Sequence, residues 1–126
     1  NAALTEIHIG TVAEKMRYTV KEFSVKAGKK LKLTFANSDF MPHNIVFVKP
    51  GTADQVGMAA MQLGAKGFEM QFVPENENII TSSGLVDNGK EVVLEFTAPA
   101  EPGDYQFVCT FPGHHLLMRG VMHVTR

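Results

Sequence analysis

The chain has no tryptophan, two tyrosines and a single cysteine among its 126 residues. One cysteine excludes an internal disulfide, so disulfide usage says nothing here about the redox compartment. Neither charge dominates. Twelve Lys and Arg stand against thirteen Asp and Glu, a formal charge of −1, and that balance favours neither nucleic acid nor an anionic membrane as partner. No apolar run approaches the roughly 18 residues of a membrane-spanning helix, so no membrane span is expected. Repeats, low-complexity stretches and linkers are also lacking, and residues 1–126 are expected to form one domain. The sequence begins at Asn1 rather than Met, as expected of a processed protein or of a segment cut from a longer one.

What is present is period-two alternation. In KKLKLTFAN, Leu31, Leu33 and Phe35 share one face and Lys30, Lys32 and Thr34 the other, the pattern of a strand half buried on a sheet. EVVLEF sets Val92, Leu94 and Phe96 against Glu91, Val93 and Glu95. YQFVC aligns Tyr105, Phe107 and Cys109, and GVMHVTR opposes Met122 and Val124 to Val121, His123 and Thr125. The run from Ile45 to Val48 is apolar on both faces and predicts a central strand. EIHIGTV and YTVKEFSV predict two more. Turn residues separate these runs at Ala27-Gly28-Lys29, Lys49-Pro50-Gly51, Asp87-Asn88-Gly89 and Glu101-Pro102-Gly103. The expectation is an all-β sandwich or barrel of about seven or eight strands. One segment departs from it: TADQVGMAAMQL carries Val56, Ala59, Ala60 and Leu63 at helical spacing, predicting a short inserted helix over 52–63 with Thr52 and Asp54 as candidate caps.

The chemistry gathers in CTFPGHHLLM, residues 109–118. Thiolate and thioether are soft ligands suited to Cu(I), imidazole suits both copper oxidation states, and two His, one Cys and a long axial Met make a blue-copper site. Cys109 is expected to point inward from a strand end, Pro112 and Gly113 turn the chain back to bring in His114, and Met118 follows. The remaining ligand must come from elsewhere, and His43 is the best candidate, next to Pro42 at the head of the apolar strand. Asn44 offers a backbone N–H and a side-chain amide to support the site. His8 and His123 are expected to point outward, and His115 to be solvent-exposed beside His114.

These residues carry a family resemblance. CTFPGHHLLMRG resembles the azurin copper loop C-T-F-P-G-H-x-x-L-M-K-G, GDYQFVC resembles the G-x-Y-x-F-x-C strand of small cupredoxins, and MPHNIVF resembles their first-histidine strand. The Met-bearing helix is similar to that of azurins and auracyanins. The resemblance implies a Greek-key cupredoxin fold and one copper per chain. It also implies His43, Cys109 and His114 as equatorial ligands, with Met118 axial. Azurins usually carry Gly where this chain has Pro42, as plastocyanins do, and the Pro42 carbonyl is an additional candidate contact. The azurin disulfide cannot form, which places the chain beside the azurins. Thiolate sulfur in such proteins accepts backbone N–H bonds, here expected from Asn44 and Phe111.

With all four ligands committed there is no open position for a substrate, so the expectation is an electron carrier and not an enzyme. The resemblance implies electron exchange through His114 with transient redox partners. Docking is expected on an apolar patch of Met41, Pro42, Pro112, Gly113 and Leu116, with Met16 and Met61 at its margin. It further implies a periplasmic or other extracytoplasmic location. Rival uses of the same residues are a zinc site, which has little need of Met, a copper store or chaperone, and a redox domain of a larger oxidoreductase. Structural uses exist as well: Cys109 and Met118 as core packing, and His43 as a packed strand histidine. Met58, Met61 and Met70 are expected to pack, and Lys26, Lys29, Lys30 and Lys32 to form a solvated face.

Overall fold

The computed structural model describes residues 4–126, so Asn1 lies outside it. Nine strands run β1 (Leu4–Val12), β2 (Arg17–Tyr18), β3 (Glu22–Lys26), β4 (Lys30–Asn37), β5 (Val46–Val48), β6 (Ile79–Ser82), β7 (Lys90–Thr97), β8 (Gly103–Val108) and β9 (Arg119–Thr125). One helix, α1 (Ala53–Met61), sits between β5 and β6. The strands form two sheets, in the orders β2-β1-β4-β7 and β3-β9-β8-β5-β6. Both sheets are open, so the sandwich stands and the barrel alternative does not. Neighbours such as β4–β7 and β3–β9 are distant in sequence, because the chain crosses between sheets in the Greek-key manner.

Alternation in the sequence becomes facing layers. Leu31, Leu33 and Phe35 are fully buried and lie in register with Phe96, Leu94 and Val92 of β7. Opposite them, Tyr105 of β8 pairs with Met122 of β9. Aromatic rings bridge the two layers: Tyr18 meets Phe35 and Phe107 at 5.9 and 5.2 Å, and Phe47 meets Phe96 and Phe107 at 5.2 and 5.4 Å. Phe35, Phe47 and Phe107 are wholly removed from water, and each contributes about 1.5–3 kcal/mol.

The doubly apolar strand has a direct explanation. Phe47 faces the interior of the sandwich, whereas Val46 and Val48 lie under α1 in a second cluster with Ala53, Val56 and Val108. The helix covers the outer face of β5.

Three expectations need correction, and one strand had not been expected. YTVKEFSV is not one strand, because the chain changes sheets between Tyr18 and Glu22. The strand β6 had no alternation to announce it, since Ile79 and Ile80 are adjacent and its pairing with β5 shifts register between Phe47 and Val48. Thr52 occupies the N-cap position but its hydroxyl donates to the Lys49 carbonyl at 2.7 Å, and Asp54 binds Arg119 instead of capping. Met58 and Met61 are exposed, not packed, because the buried face of α1 consists of Ala53, Val56, Gly57 and Ala60.

Candidate metal centre

Three segments converge at one end of the sandwich. His43 is fixed before β5 by a two-way backbone pairing with Val86, N–H to O at 3.1 Å and the reverse at 2.8 Å. Cys109 follows directly on β8, its N–H bonded to the Met118 carbonyl at 3.0 Å. Gly113 adopts φ +84°, a left-handed turn that a side chain would strain. The turn leads into the 3-10 segment His114–Leu116 and returns His114 towards Cys109.

The donor atoms form a compact triangle. Cys109 Sγ lies 3.7 Å from His43 Nδ1 and 3.6 Å from His114 Nδ1, and the two Nδ1 atoms are 3.2 Å apart. A point equidistant from all three is about 2.0 Å from each, an ordinary metal–ligand bond length. All three residues are buried, and Met118 is fully buried in the same cluster as Cys109. The Met118 N–H also bonds the His114 carbonyl at 2.8 Å, which closes the loop on itself. This donor set fits a soft or borderline metal such as copper. His8 and His123 lie elsewhere, on β1 and on the outer face of β9.

Burial sets the protonation. It pushes the Cys109 thiol up to about 11, against the backbone N–H groups of Asn44 and Phe111, which bond the sulfur and act downward. Burial also brings His114 down to about 4, helped by the neighbouring His43. The imidazole is therefore neutral near pH 7, ready to offer a lone pair, and metal binding must displace the thiol proton.

Several supporting residues other than Asn44 carried no sequence signal. Asp39 Oδ2 accepts from His43 Nε2 at 2.9 Å while its Oδ1 accepts the N–H groups of Glu14 and Phe40. These contacts, the His43 bond foremost, hold its carboxyl below the usual range despite burial. Asn37 braces the same loop by donating to the Met41 and Val86 carbonyls. The Asn44 amide and Thr110 exchange two hydrogen bonds, Thr110 N–H to Oδ1 at 2.8 Å and Nδ2 to Thr110 Oγ1 at 2.9 Å. Thr110 in turn donates to the Phe72 carbonyl at 2.6 Å. Tyr18 donates to the Asn44 carbonyl at 2.7 Å. Of these residues only Asn44 was read from the sequence as support for the site; Asp39, four residues before His43, had no periodicity to distinguish it.

His115 is the clear reversal. It is buried, 1 % exposed, with its ring against Gly57 of α1 and its Nδ1 lacking a hydrogen-bond partner among the described residues. The 3-10 turn directs consecutive side chains to different sides, so His114 meets Cys109 while His115 enters the space beneath the helix.

The sequence signature described as copper binding proteins, plastocyanin/azurin family, matches residues 5–125. Auracyanin-A of Chloroflexus aurantiacus is 37 % identical over 120 residues, covering 94 % of this chain and 73 % of that one. The structure of dithionite-reduced auracyanin from Roseiflexus castenholzii superposes with TM-score 0.88 at 38 % identity, covering 97 % and 98 % of the two chains. Auracyanin A, described as a "blue" copper protein from Chloroflexus aurantiacus, superposes with TM-score 0.86 at 32 % identity, covering 97 % and 99 %. With a family match across nearly its whole length and the donors of a type 1 copper site assembled at one end of the sandwich, the chain belongs to the plastocyanin/azurin family of copper-binding proteins.

Proposed function

We propose that this chain is a one-electron carrier in which His43, Cys109 and His114, with Met118 and the Pro42 carbonyl as further ligands, would hold one copper ion. The observation that carries the reading is the buried triangle of two Nδ1 atoms and one Sγ. Bound copper supplies a one-electron couple between Cu(II) and Cu(I), and the protein supplies the rest. His43 is held by Asp39 and Val86, Cys109 by the Met118 carbonyl, and Met118 by His114. A donor set braced in this way resists rearrangement when the charge at its centre changes, which favours rapid transfer. No ligand position is left for a substrate, so we read the protein as a carrier and not an enzyme.

Exchange is assigned to the His114 edge. Its Nε2 has no hydrogen-bond partner among the described residues and is not fully enclosed. The docking patch we assign includes the exposed Met41, Met61 and Leu116, and Phe40, Met58, Phe68 and Leu117 extend the exposed apolar surface. Phe68 reaches the site through rings, 6.1 Å from Phe111, which lies 4.9 Å from His114. Such a surface suits brief encounters with a redox protein. We further read residues 1–126 as a single domain that works outside the cytoplasm, in the periplasm or its equivalent, a reading supported by family membership.

The deciding experiment is a visible absorption titration of metal-free protein with Cu(II), repeated on Cys109→Ser. An intense band towards the red that saturates at one copper per chain, bleaches on reduction and is lost in the variant is the expected result. A colourless complex, or only weak bands, would transfer the site to storage or structural use.

A further inference from the structure

A second surface borders the ligand loop, and its character is cationic. A cavity of about 280 Å³ is lined by Lys15, Arg17, Tyr18, Lys21, Leu117 and Arg119. Four of these six side chains carry positive charge and none is a carboxylate, in a chain whose formal charge is −1. Arg119 is partly committed, through Nη2 to Asp54 and Nε to the His115 carbonyl. Among the described residues, Lys15, Arg17 and Lys21 take part in no ion pair. No carboxylate lines the groove, and the sequence neighbours Glu14 and Glu22 form no ion pair with Lys15, Arg17 or Lys21 among the described residues.

The position of this groove matters as much as its charge. Leu117 and Arg119 flank Met118, and exposed Leu117 joins the groove to exposed Leu116 on the apolar surface. Its floor, Tyr18, donates to the carbonyl of Asn44, the residue whose N–H bonds Cys109 Sγ.

We propose that this groove is a docking surface for the acidic face of a redox protein, whose carboxylates seat among Lys15, Arg17 and Lys21 while an apolar edge covers Leu117. The electron-transfer role of that partner rests on the carrier reading above. A protein face fits better than a small anion. The cations stand on separate segments, Lys15 in the turn before β2, Arg17 on β2, Lys21 before β3 and Arg119 at the start of β9. The one hydroxyl in the lining is already spent on Asn44, and an exposed leucine forms part of the wall. Spread, unpaired charge of one sign beside an apolar patch accelerates and orients encounter with an oppositely charged surface.

Binding is tested on the metal-free chain, so the outcome does not depend on copper. Isotope-labelled protein is titrated with a short poly-glutamate peptide and followed by amide chemical shifts. Saturable shifts centred on residues 15–21 and 117–119 are expected, weakening at least about tenfold between about 0.01 M and about 0.15 M salt as the screening length shortens. Lys15→Glu/Arg17→Glu/Lys21→Glu should abolish them with all other resonances in place, and Lys15→Arg/Lys21→Arg should retain them. Equal affinity in the charge-reversed variant overturns the proposal. So does occupation of the groove by inorganic phosphate where the peptide gives no shifts, which would make it a small-anion pocket. A colourless copper titration would sink the carrier reading and leave this measurement standing.

Discussion

Asp39 Oδ2 lies 2.9 Å from Nε2 of His43, and both side chains are almost wholly shielded from water. The bond fixes the tautomer with the proton on Nε2 and the lone pair on Nδ1, where Cys109 and His114 wait. A carboxylate behind a ligating imidazole also makes it a stronger donor and favours the more highly charged metal. Asp39→Asn should therefore raise the reduction potential and weaken Cu(II) binding by about tenfold, the low end of such effects. Spectroelectrochemistry and competitive chelation measure both quantities, and an unchanged potential would reduce Asp39 to a loop brace.

The sulfur receives backbone N–H bonds from Asn44 and Phe111. Hydrogen bonds to a thiolate withdraw charge from it and favour Cu(I). Phe111→Pro removes one donor, and the potential should fall while the band from sulfur persists at a shifted wavelength. An unchanged potential would show that this N–H does not tune the site.

Leu116 is 66 % exposed in the turn that carries His114. Leu116→Lys should slow electron exchange between copies of this chain, where two apolar surfaces must meet, and leave the visible spectrum nearly intact. Equal self-exchange rates by NMR line broadening would remove Leu116 from the encounter surface.

Gly57 lies inside α1, where alanine would ordinarily add about 1 kcal/mol. Here a Cβ would come within 2.1 Å of the His115 ring. Gly57→Ala should instead destabilise by about 1–3 kcal/mol, the usual cost of overpacking. Thermal unfolding reads the sign, and adding His115→Ala should recover part of the loss if the ring is the cause.

His123 on β9 bonds Glu22 of β3 at 2.8 Å and Asp104 of β8 at 2.7 Å. Those bonds, Glu22 first, raise its pKa above the ordinary histidine value. A raised folded-state pKa means the contribution to stability is complete below the unfolded value of about 6.5 and is lost as pH climbs through the folded one. Both carboxylates are largely exposed, so the effect is small. Denaturant midpoints of parent and His123→Gln should differ at about pH 5.5 and converge by about pH 9; a constant difference would contradict the linkage.

Much of this was legible because it is local. Leu31, Leu33 and Phe35 face the core as their alternation required, and the double apolar character of Val46 to Val48 registered a covering layer on each side. Cys109, His114 and Met118 were legible as a group because one short loop holds them all. The neighbourhood of His43 was not, since Asp39 owes its role to a loop braced by Asn37 and by the N–H of Glu14, 25 residues away. Nothing local separated His115 from His114, and the difference arose only when α1 placed a glycine against the turn.

Sequence by itself determined the donor types, their order in the chain and the inward face of each long strand, since side-chain direction follows backbone periodicity. Tertiary structure decided which nitrogen of each histidine faces the sulfur, which carboxylate stands behind His43 and which cations share a groove. Those are relations between segments far apart in the chain, and they exist only once the two sheets and the helix have packed.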